Sequence, residues 1–422
     1  MKTLRLTDNI EKAAAILRGG GLVAVPTETV YGLAANALDT KAVEQIYEVK
    51  GRPAVKALSV MVPDADALDR WCVDVPPAAR ALAARFWPGP LTLVLRSSPE
   101  IPALTRAGGE TVGLRCPDSA PTLALLRETG LPLAAPSANP SGAPSPKTAD
   151  EVLSYFDGQI DAVLDGGPCG LGRESTIYDL SATPYRVLRQ GALAEEAIDE
   201  ALRESLKTIG ITGGTGCGKT TLLNVLEKHG VLVLDCDEIY HDLTVRSEAM
   251  RLELIARFGP VYEGTTLDRK ALGAVVFSDP KALLDLNAIT HKYVARELDR
   301  LLTEHAKNGG TAAAIDAIGL LSIEHGRKTA FNIAVTAPTE ARIERLMRRE
   351  GITRDYALQR IRAQKPNEYF AANCDYTLDN SGTMAEFEQK CEDFFAEVWN
   401  NGCIKGDGKA EKGALLRAEK RL

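Results

Sequence analysis

The sequence predicts an α/β protein of two domains in series, and three observations carry that expectation. With 422 residues, of which 45% are hydrophobic and 25% charged, the composition is that of a globular chain long enough for two or three separately cored domains. Short apolar runs alternate with amphipathic stretches throughout, the rhythm of strands followed by helices. A complete GxxxxGK[ST] loop, Gly213-Gly-Thr-Gly-Cys-Gly-Lys219-Thr220, lies in mid-chain between a strand-like and a helix-like stretch. Because a fold built on such a loop starts with the strand that feeds it, the residues before it need a fold of their own.

The elements follow in order. From Met1 to about Ser205, at least seven strands are predicted, at LVAV from Leu22, LTLVL from Leu91, VGLR from Val112, LPLAAP from Leu131, AVLD from Ala162, STIYDL from Ser175 and YRVLRQG from Tyr185. Helices are predicted over Asp8 to Arg18, Thr40 to Val49 and Pro76 to Phe86, and the charged stretch Ala192 to Leu206 reads as a closing helix, which sets a boundary near Ser205. The second domain, 206–400, has strand-like runs at Ile209 to Thr212, Val231 to Asp235, Ala312 to Asp316, Asn332 to Thr336 and Tyr376 to Asp379. Long helical segments between them predict a parallel sheet with helices on both faces. Residues 401–422 are rich in Gly and Lys and are expected to form a disordered tail.

A net charge of -7 gives no long-range attraction to nucleic acid or anionic membrane. The N-terminus lacks the apolar core of a signal peptide and no apolar run has the length of a membrane span, so a cytoplasmic protein is expected. Eight scattered cysteines without a CxxC pair read as reduced thiols, with Cys217 inside the loop the one to watch for reactivity.

The loop carries the strongest chemical signal. Its glycines, with Gly213, Gly214, Thr215, Gly216, Cys217 and Gly218 as nucleotide-binding positions, let backbone N–H groups turn toward phosphate oxygens. Lys219 neutralises the β/γ charge, and Thr220 offers a hydroxyl to Mg2+. No [NT]KxD follows, which disfavours a GTPase. Asp235 and Asp237, in VLDCDEIYHDL, are expected at the end of a strand adjacent to the loop, where a carboxylate can take the proton of an attacking hydroxyl. The plainer reading of Asp237 is a helix N-cap. GGTGCGKTT, the DCD segment, DRKALGAVVFSDPKALLDLNAITHK, RIERLMRREGITRDYALQRIRAQ and YTLDNSG together resemble dephospho-coenzyme A kinases, from about Lys207 to Trp399. The resemblance implies a P-loop kinase domain that transfers the γ-phosphate of ATP to the ribose 3′-hydroxyl of dephospho-CoA. It implies Asp237 as base and Arg345, Arg348 and Arg349 in a lid over the phosphates. Two departures stand out: Ser322 where the family has an acid, with Glu324 two residues on, and Lys292 where proline is commoner.

The first domain has polar clusters at its strand ends: PTETVYGLAA, KGRPAVKALSV, WPGPLTLV, VGLRCP, APSANPSGAPSP, GRESTIYDL and VLRQG. Lys50, Arg52, Lys56, Arg115, Arg173 and Arg189 lie in or beside them, as a pocket for an anionic nucleotide requires. Their order resembles the YrdC-type threonylcarbamoyl-AMP synthase domain, an α/β domain with a twisted mixed sheet, over Met1 to Leu206. The resemblance implies that L-threonine, bicarbonate and ATP give threonylcarbamoyl-AMP and pyrophosphate for a downstream tRNA threonylcarbamoyl transferase machinery, and it leaves room for a weak RNA contact. It makes Lys50 and Arg52 catalytic. It makes Arg52, Lys56, Thr111, Asn139, Lys147 and Arg189 ATP contacts, and Thr29, Arg115, Ser137 and Ser175 threonine contacts, with Arg115 gripping the carboxylate bidentately. Met61 stands where some members carry a polar residue. Two other readings stay open: a non-catalytic nucleotide- or RNA-binding module in the first half, and a different P-loop small-molecule kinase in the second.

Overall fold

The computed structural model describes residues 2–317 and 328–400. Ser322, Glu324, Cys403 and the tail expected over 401–422 lie outside the described residues. The chain divides into two compact units, the first made of Met1–Leu206 with Leu301–Thr311, the second running from Lys207 to Arg300 and resuming at Ala312. Among the described residues, no helix is long and apolar enough to cross a membrane.

The first unit contains ten strands: β1 (Leu4–Leu6), β2 (Val23–Val25), β3 (Gly32–Asn36), β4 (Ser59–Met61), β5 (Leu91–Arg96), β6 (Thr111–Arg115), β7 (Leu133–Ala134), β8 (Ala162–Leu164), β9 (Thr176–Asp179) and β10 (Arg186–Arg189). They form one mixed sheet in the order β1-β8-β2-β3-β7-β4-β6-β5-β9-β10. Parallel pairs such as β2 with β8, β4 with β6 and β5 with β9 alternate with antiparallel ones such as β2 with β3 and β5 with β6. The seven expected strands are present, and β1, β3 and β4 are additional. β3 is GLAAN, without the branched side chains that mark a strand.

Helices start where the sequence supplies caps. Asn9 Oδ1 accepts from Lys12 N–H ahead of Ile10–Arg18, and Asp39 accepts from Lys41 N–H ahead of Thr40–Lys50. The latter helix ends at Gly51 in the left-handed region (φ 58°), which releases the chain into the KGR segment.

The second unit holds β11 (Lys207–Thr212), β12 (Leu232–Asp235), a small hairpin β13 (Tyr262–Glu263) and β14 (Thr266–Leu267), β15 (Ala312–Asp316), β16 (Phe331–Thr336) and β17 (Tyr376–Asp379). The five longer strands form an all-parallel sheet in the order β12-β15-β11-β16-β17, flanked by helices. Ile209, Ile211, Ile315, Ile333 and Val335 are fully buried in it, and Leu222 and Phe387 cover it from the helices Lys219–Lys228 and Met384–Phe394. This order corrects one expectation. β12 is not adjacent to the loop-bearing β11, because β15 lies between them, so Asp316 at the tip of β15 separates Asp235 from the loop. The helices Thr339–Glu350 and Arg354–Arg362 form an arginine-rich pair held together by Ile343, Leu346, Ala357 and Ile361.

Candidate active sites

In the first unit, six strands contribute to one cavity of about 150 Å³, which is lined by Gly32, Ser59, Met61, Thr92, Arg115, Ile177 and Arg189 together with the loop residues Arg52, Ser137, Glu174 and Ser175. Five expected site residues, Arg52, Arg115, Ser137, Ser175 and Arg189, therefore meet. Arg115 is almost wholly buried. Its Nη2 donates to Glu28 Oε1 at 2.7 Å and to Thr29 Oγ1 at 2.8 Å, and its Nε donates to Gly89 O at 3.3 Å. Both Nη2 hydrogens and the Nε–H are thus engaged within the protein, one of them by Glu28 of the PTETVYGLAA cluster, so Nη1 is what Arg115 offers a carboxylate and the expected bidentate grip is not available. Glu174 plays the same part for Arg189: it pairs with Arg189 Nη1 and accepts from Ser145 Oγ at 3.0 Å, while Arg189 Nη2 donates to Ser175 O at 2.9 Å. Ser175 and Thr92 share a hydroxyl contact of 2.9 Å. Arg52 is held by the carbonyls of Lys56 and Ala57.

Lys50 and Asn139 do not line the cavity. The Lys50 ammonium is buried, donates to the carbonyls of Ser137 and Asn139, and is pushed down to about 8 by desolvation and by nearby Arg52. It positions the Ser137–Asn139 segment. Asn139 Nδ2 donates to Pro140 O and Ala143 O, and its buried Oδ1 has no hydrogen-bond partner. Lys56, Thr111, Lys147 and Arg173 are also outside the lining: Lys56, Lys147 and Arg173 are exposed, and Thr111 pairs with Arg96 across β5 and β6.

In the second unit, a cleft of about 630 Å³ is lined by Gly214 to Thr220, by Asp235, Asp237 and Asp316, and by Arg345, Arg348, Arg349, Arg360 and Gln364. Of the expected loop residues only Gly213 is absent from the lining; its carbonyl accepts from Lys219 Nζ at 3.3 Å. The loop's carbonyls are occupied from outside. Thr215 O accepts from Arg342 Nε (2.9 Å), Cys217 O from Asn380 Nδ2 (2.9 Å), and Arg345 Nη1 reaches Gly216 O at 3.4 Å. A side chain on Gly218 (φ 97°) would place its Cβ 2.1 Å from Asn380 Nδ2, so this position requires glycine on both counts.

Asp316 is the residue the sequence reading missed as a site group. It is buried, and Lys219 Nζ stands 3.8 Å from its Oδ1, too far for a hydrogen bond, so that oxygen has no hydrogen-bond partner. Desolvation, reinforced by Asp235 and Asp237 against the opposing pull of Lys219, pushes its carboxyl up to about 7. Only the strand order brings it to the loop.

Three other expectations are settled here. The N-cap of the helix Cys236–Arg246 is Asp235, which accepts from the N–H groups of Asp237 and Glu238, and this leaves the Asp237 carboxylate exposed at the cleft. Cys217 is fully buried and burial pushes its thiol up, which is the opposite of a reactive cysteine. Lys292 lies away from the cleft and pairs with Glu253.

Two predictions follow from these environments. Lys50→Met strips two carbonyls of their shared donor and costs about 2–4 kcal/mol; hydrogen–deuterium exchange across residues 131–145 should rise sharply. Asp316 holds a proton in the folded chain that the unfolded chain has already lost between pH about 4 and about 7, so its contribution to stability falls as pH rises through that window and stays low above it. In nucleotide-free protein, Asp316→Asn should therefore raise the unfolding midpoint of the second unit by roughly 3–8 °C at pH 8 and by little at pH 4.

Each half of the chain matches a known family. The Sua5/YciO/YrdC family profile, described as "Telomere recombination", matches residues 15–191, and the dephospho-CoA kinase profile matches residues 207–386. Over 195 residues, 46% of this chain, the sequence is 48% identical to the threonylcarbamoyl-AMP synthase of Bacillus subtilis, and it spans 56% of that relative's length. A Mycobacterium tuberculosis protein that carries the same name provisionally is 37% identical over 193 residues, 46% of this chain and 88% of its own length. The dephospho-CoA kinase of Geobacter sulfurreducens is 33% identical over 196 residues, 46% of this chain and 98% of its own length. The chain therefore belongs to two families at once, Sua5/YciO/YrdC through its first half and dephospho-CoA kinase through its second.

Proposed function

We propose that the chain is a bifunctional enzyme in the cytoplasm, with 1–205 forming threonylcarbamoyl-AMP and 206–400 phosphorylating dephospho-CoA. The observation that carries this reading is that each unit gathers cations together with proton-handling or hydroxyl groups around a cleft.

In the first unit, the 150 Å³ cavity has the size of an amino acid and a polar lining to match. Threonine's carboxylate meets Arg115 at Nη1, and Ser137 and Ser175 address its polar atoms. Met61 and Ile177 give the methyl group an apolar wall. The carbamate of threonine attacks the α-phosphorus of ATP, and Arg52 and Arg189 stabilise charge as pyrophosphate departs. Glu174 releases Arg189 to the phosphates. Lys50 acts from behind by fixing the Ser137–Asn139 segment. A downstream tRNA threonylcarbamoyl transferase consumes the product.

In the second unit, the loop's N–H groups and Lys219 hold the β- and γ-phosphates of ATP, and Arg345, Arg348, Arg349 and Arg360 surround the migrating phosphoryl group. Asp237 takes the proton of the ribose 3′-hydroxyl as it attacks the γ-phosphorus. Mg2+ fits the oxygen set: Thr220 offers a hydroxyl, and Asp316 has a buried oxygen without a hydrogen-bond partner. Among the described residues no three His, Cys, Asp or Glu side chains form a metal cage, so the ion would rest mainly on substrate phosphates, as Mg2+ commonly does. When bound it neutralises charge on the β- and γ-oxygens.

Single substitutions separate the two activities. Lys219→Ala should lower dephospho-CoA-dependent ADP formation at least ~100-fold and leave threonine-dependent pyrophosphate release within about twofold, and Arg52→Ala should do the reverse. Loss of both activities in either variant, with the fold intact, contradicts two independent sites.

A further inference from the structure

Gln364 lines the phosphate cleft and closes the stretch RIERLMRREGITRDYALQRIRAQ, in which only the arginines carry an expected phosphate contact. It follows the lid helix Arg354–Arg362, and its own N–H donates to Ile361 O at 3.2 Å, which ties it to that helix end. Its side-chain Oε1 accepts two hydrogen bonds, from Thr215 N–H of the loop at 2.8 Å and from Arg342 Nη2 at 3.1 Å. Arg342, buried on the other lid helix, completes the ring by donating Nε to Thr215 O at 2.9 Å. Thr215 is thus held at both its N–H and its C=O by side chains from the two lid helices. The loop residue before it must be glycine for the same reason: a Cβ on Gly214 would lie 2.3 Å from Arg342 Nη2 and 3.1 Å from Gln364 Oε1.

Arg342 shares its helix with Arg345, Arg348 and Arg349, and Gln364 is two residues past the end of the helix that carries Arg360. We infer that Gln364 and Arg342 are a positioning pair that sets the distance between the phosphate loop and the lid arginines, with the Gln364 side-chain oxygen as the joint. Gln364 acts through Thr215 and Arg342 and not by donating to the nucleotide. Its effect is therefore on how tightly the lid cations and the loop amides bind the same triphosphate. The inference rests on the reading of this cleft as an ATP site and adds to it a residue whose chemistry is that of an acceptor.

The acceptor role makes a discriminating test. Gln364→Met keeps the length of the side chain and removes the oxygen, whereas Gln364→Glu keeps an acceptor for Thr215 N–H and Arg342 and removes the amide donors. Binding of Mg2+ with the β,γ-imido analogue of ATP to the full chain is measured by calorimetry, with Lys219→Ala as the control for occupancy of this cleft, and unfolding midpoints are taken in parallel. The expected result is a Kd about tenfold weaker for Gln364→Met, the weight of one hydrogen bond to a charged partner, and within about threefold of the wild type for Gln364→Glu. Equal weakening in both variants would mean that keeping the acceptor does not keep the binding, and would overturn the inference. Unchanged binding in Gln364→Met would also overturn it. Wild-type binding that is absent, or indifferent to Lys219→Ala, would overturn the ATP-site reading itself and this inference with it.

Discussion

Binding a polyphosphate requires donors and cations that are held in place but not neutralised by the protein's own acceptors, and both units are organised by that constraint. A loop of small residues has as many carbonyls as N–H groups, and left alone it would present both to the ligand. In the second unit the carbonyls of Thr215, Gly216 and Cys217 are taken by Arg342, Arg345 and Asn380 from outside the loop. The first unit solves the same problem with carboxylates. Glu28 and Glu174 fix Arg115 and Arg189 by partial pairing, which orients each guanidinium while leaving donors unspent.

These arrangements cost stability. Asp316 is buried beside two other carboxylates and Lys50 is a buried ammonium, and each is driven toward its neutral form by desolvation. Sheets with dense apolar cores carry that cost. In the second unit the β-strand residues Ile209, Ile211, Ile333 and Val335 are fully buried, and the charged groups sit just past the carboxyl ends of the same strands. A cleft beyond the carboxyl ends of the strands is the usual arrangement in open α/β folds.

Much of this was legible in the sequence. The GGTGCGKT loop fixes its own conformation and chemistry locally, and the five long strands of the second unit announce themselves by apolar runs at regular spacing. The strand Gly32–Asn36 was not legible, because neighbours in the sheet and not its own side chains make it a strand. The contacts that the sequence does not show have two causes. Asp316 reaches Lys219 only because β15 inserts between β12 and β11, and Gln364 and Asn380 meet the loop from 149 and 163 residues away in sequence, so no local spacing shows what they touch. Glu28 and Glu174 lay inside clusters already singled out, and were passed over because a site for anions is read by its cations.

The central claim is that one chain splits ATP in two chemically different ways. The direct measurement is of the products of ATP turnover by the purified full chain, with L-threonine and bicarbonate in one reaction and dephospho-CoA in another. The account predicts AMP-containing product and pyrophosphate in the first and ADP in the second. ADP in the second with no threonine-dependent pyrophosphate in the first would contradict it and leave the first unit a binding module.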